Sequence, residues 1–166
     1  MIQSIGGIVY QIINNEPIFF IMKRRAMSGK IEWVAPKGKI ENNEKPEFTC
    51  VREISEETKM DINLLSIKTK LEGEVELKSM NFGKGTIDKT INYYLVEYAG
   101  TPDSVTVIDE EGLTGMYKRC TLKDIMTLVP YKDLRAVFRE AYDYLDKQNQ
   151  RQKIFQTGSR GFLEDV

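Results

Sequence analysis

The order of apolar patterns along the chain predicts an α/β fold, an α/β/α sandwich built on a mixed central sheet. Three observations support this prediction. Strand-like runs fill the first part and the middle of the chain. One amphipathic helix follows the third or fourth strand, and a longer one lies towards the C-terminus. The length of 166 residues and an apolar content of 41% are typical of one globular domain with a substantial core.

The first two strands are predicted as a hairpin. Residues 2–13 and 18–22 are rich in apolar and β-branched residues, and turn-forming residues fill 14–17. Gly6 and Gly7 interrupt the first strand. Either a plain bend or the close approach of another group explains glycines at such a place.

Three cations, Lys23, Arg24 and Arg25, end the second strand. A solvated charge run explains them, but in a phosphate-handling protein Arg24 and Arg25 are candidates to hold a polyphosphate. A short strand is predicted at residues 31–35, and it contains the only tryptophan. We expect Trp33 in the core rather than as a stacking platform.

A helix is predicted at residues 44–58, with Pro46 in its first turn, where a missing N–H costs nothing. Glu53, Glu56 and Glu57 share one side of this helix, and carboxylates at this spacing repel one another. A divalent cation relieves the repulsion, and hard cations such as Mg²⁺ prefer carboxylate oxygen. A solvated acidic face is the alternative explanation. The opposite, core-facing side is predicted to consist of Phe48, Val51, Ile54 and Thr58.

A second hairpin is predicted after this helix. Residues 62–77 alternate as a strand does, residues 81–85 are rich in turn formers, and residues 89–98 form a strong strand. Tyr93 and Tyr94 point to opposite faces of that strand. One of them is expected in the core, and the other, for which Tyr94 is the candidate, in a pocket for a base.

The C-terminal part is predicted to be helical. Residues 122–129 form a short helix entered at Thr121, and residues 131–148 form an amphipathic helix. We expect the domain to span residues 1–150, with residues 151–166 as a tail that is loosely ordered or contacts a partner. The core-facing residues of the long helix are Leu134, Val137, Phe138, Ala141 and Leu145.

Composition excludes several classes of chemistry. The chain has no histidine, which removes Ser-His-Asp and Cys-His nucleophile systems and most zinc enzymes. Cys50 and Cys120 are too few for a disulfide framework and indicate a reducing compartment. The net charge of -1 gives no global attraction to nucleic acid or membrane. Without a secretory pattern or an apolar run of spanning length, we expect a cytoplasmic protein with no membrane partner.

The stretch from Gly38 to Met60 resembles the signature of the Nudix hydrolases, G-x5-E-x7-R-E-U-x-E-E-x-G-U, where U is a bulky aliphatic residue. Eight of the nine specified positions agree, and Lys59 replaces the second glycine. The segment before this box, EWVAPKGK, is similar to the family's strand and loop there. The resemblance covers roughly residues 4–148 and implies the Nudix fold, which is an α/β/α sandwich. The matching residues are Gly38, Glu44, Arg52, Glu53, Ile54, Glu56, Glu57 and Met60.

The resemblance implies a role for each matching residue. Glu53, Glu56 and Glu57, with the carbonyl group of Gly38, correspond to the family's ligands for Mg²⁺, with Mn²⁺ as the alternative ion. Glu53 and Glu57 are the catalytic candidates within the box. Glu44 and Arg52 correspond to a structural pair that fixes the loop against the helix, and Lys37 corresponds to a phosphate contact.

The resemblance raises two further points, one about glutamates after the box and one about Lys59 within it. Many family members carry a further catalytic glutamate on a later loop, for which Glu110 and Glu111 are candidates and Glu97, in a strand, is less favoured. The glycine that Lys59 replaces ends the helix, where a left-handed residue is common. A lysine in that conformation costs about 1 kcal/mol.

The resemblance implies hydrolysis of a phosphoanhydride bond in nucleoside polyphosphates. Dinucleoside polyphosphates are favoured, because KTINYYL at residues 89–95 is similar to a strand of the hydrolases that cleave them. One alternative is removal of pyrophosphate from RNA 5′ ends, which makes RNA the less favoured partner. Another is a module that binds a nucleotide without cleaving it. The sequence leaves open whether the protein is a monomer or a homodimer.

Overall fold

The computed structural model describes residues 2–25, 29–78, 88–101 and 117–164, without the side chains of residues 2, 78, 88 and 156–164. The predicted turn at residues 81–85 lies outside this part of the chain. The elements are β1 (Ile2–Ile13), β2 (Glu16–Arg25), β3 (Ile31–Val34), β4 (Lys37–Lys39), α1 (Pro46–Thr58), a 3-10 turn (Ile62–Leu64), β5 (Leu65–Lys78), β6 (Asp88–Tyr98), β7 (Tyr117–Cys120), α2 (Leu122–Leu128) and α3 (Lys132–Glu164). The described part contains the predicted strands and helices in the predicted order, together with two short strands, β4 and β7, that the sequence did not predict.

The strands form one mixed sheet of seven strands in the described part of the chain. Its main path runs β3-β2-β1-β6-β5, while β4 pairs with β1 and β7 pairs with β2. The β1–β6 pair is parallel, and the other pairs are antiparallel. One face packs against α1 through Cys50 and Ile54. The other packs against α2 and α3 through Ile125 and Phe138, so the predicted α/β/α sandwich is confirmed.

Strand β1 pairs with two different strands along its length, and this places β4 in the sheet. The second half of β1 pairs with β2, whereas residues 4–6 pair with β4. At the split, the Gly7 N–H donates to the carbonyl of Pro36 over 3.0 Å. The sequence predicted a loop at Lys37 and Gly38, and this was wrong, because pairing with a distant strand gives these residues a partner that local patterns do not reveal.

The two glycines of β1 allow close packing on both faces. A Cβ on Gly6 would overlap the ring of Tyr93, and a Cβ on Gly7 would overlap the side chain of Ile54 in α1. Of the two explanations for these glycines, the structure therefore supports close approach rather than a plain bend. Helix α1 consequently lies directly on β1.

The predicted core face of α1 was partly wrong. Its buried residues are Thr49, Cys50, Ile54 and Thr58, whereas Phe48 is 50% exposed. A polar residue can replace Phe48 in the core because the Thr49 hydroxyl donates to Glu44 and to the Lys45 carbonyl, over 3.2 and 3.3 Å. Its hydrogen bonds remove the cost of burying it.

Helix α3 covers an irregular part of the edge strand β5. The pairing register of β5 shifts between Lys70 and Glu74, which leaves amides without a strand partner. The Glu140 carboxylate accepts the N–H groups of Glu72 and Gly73 over 2.7 and 2.8 Å. A helix side chain thus replaces the missing ladder bonds.

Helix α3 is longer than predicted. We expected it to end at residue 148, but it continues to Glu164. Burial stops earlier, at Leu145, and Ile154 and Phe155 are exposed. The division at residue 150 into a domain and a tail stays a prediction. Among the described helices, none combines the length and apolar character needed to cross a membrane.

Candidate active site

Helix α1 ends in an unusual backbone conformation. Lys59 caps it with φ 58° and ψ 14°, and its N–H donates to the Ser55 carbonyl over 2.8 Å. The left-handed helix end is therefore present although a lysine stands where glycine is favoured. The turn of helix that carries Glu56 and Glu57 is complete.

Arg52 connects α1 to the loop that precedes it. Its Nε and Nη2 donate to the two carboxylate oxygens of Glu44 over 2.6 and 2.8 Å. Nη2 also donates to the Lys39 carbonyl over 3.1 Å. The bonds from Arg52 to the Glu44 carboxylate lower the pKa of Glu44 to about 2. A two-pronged ion pair of this kind fixes orientation as well as distance, so it holds the end of β4 against α1.

Arg52 also relieves part of the repulsion among the glutamates. Its Nη1 donates to Glu53 Oε1 over 2.9 Å and to Glu56 Oε2 over 3.2 Å. Burial nevertheless raises the pKa of Glu53. The Glu56 side chain is 59% exposed.

Glu57 approaches β4 from the last turn of α1. Its Oε2 accepts the Lys37 N–H over 3.0 Å. Burial, and then the charge of Glu53, raise the pKa of Glu57 to about 7. Gly38 lies beside these carboxylates, since a Cβ at this position would overlap the carboxylate of Glu53. The glycine therefore brings the β4 backbone next to Glu53 and Glu57.

Three cations from three different strands lie close together at β4, around Lys37. The pKa of Lys37 is lowered to about 7, first by burial and then by the positive charges of Arg24 and Lys89. Arg24 also lowers the pKa of Glu57, so it lies near the same carboxylate. The sequence prediction named Arg24 and Lys37 but missed Lys89, the second residue of β6. A lysine at a strand end carries no signal until the strand register is known.

The remaining predicted substrate residues lie elsewhere. Arg25 is exposed at the end of β2, and side chains alternate along a strand, so it points away from Arg24. Tyr94 is 6% exposed, in the core under α1, and its hydroxyl donates to Glu47 Oε1 over 3.4 Å. Tyr93 is buried in the other core. The expectation that one tyrosine is core and the other lines a pocket is corrected, since both rings are core residues.

Of the three candidate glutamates after the box, only Glu97 lies within the described residues. Glu110 and Glu111 lie outside the described residues, so their role stays a prediction. Glu97 accepts a hydrogen bond from the Tyr10 hydroxyl over 3.2 Å. Tyr10 belongs to the core on the α3 side of the sheet. Glu97 is therefore on the opposite face from α1.

The donor chemistry of this site fits a hard divalent cation. Glu53, Glu56, Glu57 and the backbone of Gly38 offer only oxygen ligands, which Mg²⁺ prefers. Burial raises the pKa of both Glu57 and Glu53, although Arg52 bonds to Glu53 and Arg24 and Lys37 lie near Glu57. As the side chains stand, the described residues contain no group of three Cys, Asp or Glu placed to hold one ion. Glu53 and Glu56 would have to turn from Arg52 to complete a ligand set.

The family model of the NUDIX domain matches residues 5–145. The chain is 29% identical over 133 residues to the asymmetrical bis(5'-nucleosyl)-tetraphosphatase of Sus scrofa, covering 80% of this chain and 84% of that protein.

Solved structures show the same fold at lower identity. A C. elegans Ap4A hydrolase in a binary complex is 20% identical, with a TM-score of 0.69 over 89% of this chain and 99% of that one. The dihydroneopterin triphosphate pyrophosphohydrolase of E. coli is 14% identical, with a TM-score of 0.64 over 86% of this chain and 95% of that one. At such identities the likeness establishes the fold alone.

Proposed function

The chain belongs to the Nudix family, whose members hydrolyse phosphoanhydride bonds. We propose that it cleaves nucleoside polyphosphates in a Mg²⁺-dependent reaction. Dinucleoside polyphosphates are the favoured substrates. The similarity to the tetraphosphatase of Sus scrofa supports this choice of substrate. Mn²⁺ is the alternative ion.

One observation carries the proposal. Around β4, two carboxylates whose pKa values are raised by burial, Glu53 and Glu57, lie close to a group of three cations, Arg24, Lys37 and Lys89. The carboxylates suit a metal ion, and the cations suit phosphate oxygens. A polyphosphate chelated to a divalent cation needs both charges at one place.

The metal would be held by Glu53, Glu56, Glu57 and the Gly38 carbonyl. When bound, Mg²⁺ supplies neutralisation of the polyphosphate and a lowered pKa of bound water.

The residues of the chain divide the remaining work. Arg24, Lys37 and Lys89 bind phosphate oxygens and orient the anhydride, since positioning and charge stabilisation dominate phosphoryl transfer. Water attacks phosphorus, a new P–O bond forms, and the anhydride P–O bond breaks. Glu53, or one of Glu110 and Glu111, accepts the proton of that water.

Arg52 and Glu44 act as support. Their bidentate ion pair, at 2.6 and 2.8 Å, holds the loop before α1 against the helix that carries the glutamates. Arg52 therefore supports the helix that carries the glutamates and does not itself contact the substrate.

The test is a substrate panel with Mg²⁺: diadenosine polyphosphates, ADP-ribose, oxidised deoxynucleoside triphosphates and triphosphorylated RNA, with products separated by chromatography. We expect turnover of a dinucleoside polyphosphate. Glu57→Gln should lower it on the order of 100-fold, the size typical of losing a charged group at a hydrolytic site. Glu76→Gln, in β5 and exposed, is the matched control.

Three results would overturn the proposal or part of it. Full turnover by Glu57→Gln would remove the assignment of the site. Binding of a nucleotide without turnover of any panel member would instead identify a binding module. Preference for triphosphorylated RNA would move the substrate to RNA 5′ ends.

A further inference from the structure

Two side chains of opposite charge stand directly across from each other on neighbouring strands. Arg24 in β2 pairs with Glu32 in β3 in the antiparallel register of these strands. The Cβ atoms of such a pair are about 5 Å apart, so opposite charges at these positions are well placed to form an ion pair. Of the ion pairs between described residues, none joins Arg24 to Glu32. The two charged ends therefore point to different partners.

The carboxylate of Glu32 is bound by a tyrosine. Its Oε2 accepts the hydroxyl of Tyr131 over 2.5 Å. A bond this short between a hydroxyl and a carboxylate belongs to the strong, charge-assisted class. Burial, and then the bond to Glu32, raise the pKa of Tyr131 to about 12. The hydroxyl consequently keeps its proton at neutral pH and remains a donor to Glu32.

Tyr131 itself is held in place at the start of α3. Its ring packs against the core on the α3 side of the sheet. Its carbonyl accepts the N–H of Arg135 over 3.0 Å, and Arg135 Nη1 donates to the Val129 carbonyl over 2.8 Å. The hydroxyl therefore has a fixed position, and the Glu32 carboxylate that it binds is held away from Arg24.

The guanidinium of Arg24 is directed to the active site instead. Arg24 is exposed, and its positive charge lowers the pKa of both Glu57 and Lys37. A guanidinium binds carboxylates and phosphates with the same fork of N–H groups. A Glu32 carboxylate on Arg24 would therefore compete directly with a phosphate of the substrate.

We propose that Tyr131 is a positioning residue, which holds Glu32 off Arg24 and so leaves the guanidinium available to a substrate phosphate. The inference rests on the proposed function in one respect, namely that Arg24 contacts phosphate. Without the Tyr131 hydroxyl, Glu32 turns to Arg24 and the substrate has to displace it. The hydroxyl thus acts on the affinity for the substrate and leaves the bond-breaking step unchanged.

A purely structural role of the Tyr131–Glu32 bond makes a different prediction. A bond that only ties the start of α3 to β3 stabilises the fold, and loss of either partner removes the same bond. Replacing Glu32 would then not restore what the loss of the Tyr131 hydroxyl takes away. In the proposed role it does restore it, because Glu32 is the competitor for Arg24.

The test is a double-mutant cycle of Tyr131→Phe and Glu32→Gln, with inorganic tripolyphosphate as the probe. Binding is measured by isothermal titration calorimetry in buffer with EDTA, so that no turnover is needed. Tyr131→Phe should bind about tenfold more weakly than the wild type, the size of one charge-assisted contact. Glu32→Gln should tighten binding about tenfold more in the Tyr131→Phe background than in the wild type, because only there does Glu32 occupy Arg24.

Kinetics with a dinucleoside polyphosphate and Mg²⁺ provide a second measurement. Tyr131→Phe should raise KM and leave kcat unchanged, which is the signature of lost uniform binding. Adding Glu32→Gln should return KM to the wild-type value. The matched control is Tyr10→Phe, which removes a hydroxyl that donates to Glu97 over 3.2 Å and should leave KM unchanged. Circular dichroism checks that each variant is folded.

Three outcomes would overturn the inference. The first is unchanged tripolyphosphate binding by Tyr131→Phe, and the second is an equal effect of Glu32→Gln in both backgrounds. The third is a wild-type protein that binds no tripolyphosphate, since Arg24 would then not be a phosphate contact. Failure of the proposed function looks different, because the binding cycle would hold while no polyphosphate of the substrate panel is turned over.

Discussion

Replacing Lys59 by glycine should stabilise the protein. The residue caps α1 with φ 58° and ψ 14°, a conformation in which the Cβ of any L-residue is strained. The cost for a residue other than glycine is about 1–2 kcal/mol. Lys59 is exposed, so its removal leaves no cavity.

Two effects oppose this gain. Glycine makes the unfolded chain more flexible, which costs about 0.4–1 kcal/mol. The lysine charge favours the helix C-terminus by about 0.3–1 kcal/mol when little screened, and less in ordinary salt. The hydrogen bond from the Lys59 N–H to the Ser55 carbonyl, at 2.8 Å, is a backbone bond and remains. The net expectation is a stabilisation of about 0.5 kcal/mol in moderate salt.

The assay is urea and thermal unfolding followed by circular dichroism. For a chain of this size, about 0.5 kcal/mol raises the thermal midpoint by about 1–2 °C. Lys59→Ala is the matched control, because it removes the same charge but keeps the Cβ. We expect it to be less stable than Lys59→Gly by about 1 kcal/mol. If the glycine variant is no more stable than the alanine variant, the left-handed helix end is not strained and the reasoning is refuted.

Three further substitutions test other parts of the structure. Gly38→Ala should lower turnover at least about tenfold, because its Cβ would overlap the Glu53 carboxylate and displace a residue of the site; an unchanged rate in the substrate assay would contradict that close approach. Glu140→Ala should destabilise the fold by about 1–3 kcal/mol, because two β5 amides lose the carboxylate that they bond over 2.7 and 2.8 Å. Hydrogen exchange at these two amides should become faster. Unchanged exchange would mean that the amides have other protection. Ser4→Ala should stabilise the fold by about 1 kcal/mol, since the buried Ser4 hydroxyl has no hydrogen-bond partner among the described residues. A loss of stability in urea unfolding would show that the hydroxyl does have a partner.

Local patterns in the sequence were enough to predict the individual helices and strands that depend on near neighbours. Pro46 in the first turn and the helical spacing of apolar residues placed α1 at Pro46–Thr58 almost without error. Because Arg52, Glu53, Glu56 and Glu57 lie within one helix, the relative placement of their side chains followed from helix geometry alone. These properties depend on neighbours a few positions apart, which is the range over which sequence patterns act.

The contacts between these elements became known only from the three-dimensional arrangement of the chain. Lys37 and Gly38 became a strand because residues 4–6 pair with them, some thirty positions away. Arg24, Lys37 and Lys89 come together from three strands, as do Lys23, Trp33 and Lys118. The physical reason is that strand register fixes these meetings through distant hydrogen-bonded partners, and no short stretch of sequence encodes which partner a strand will have.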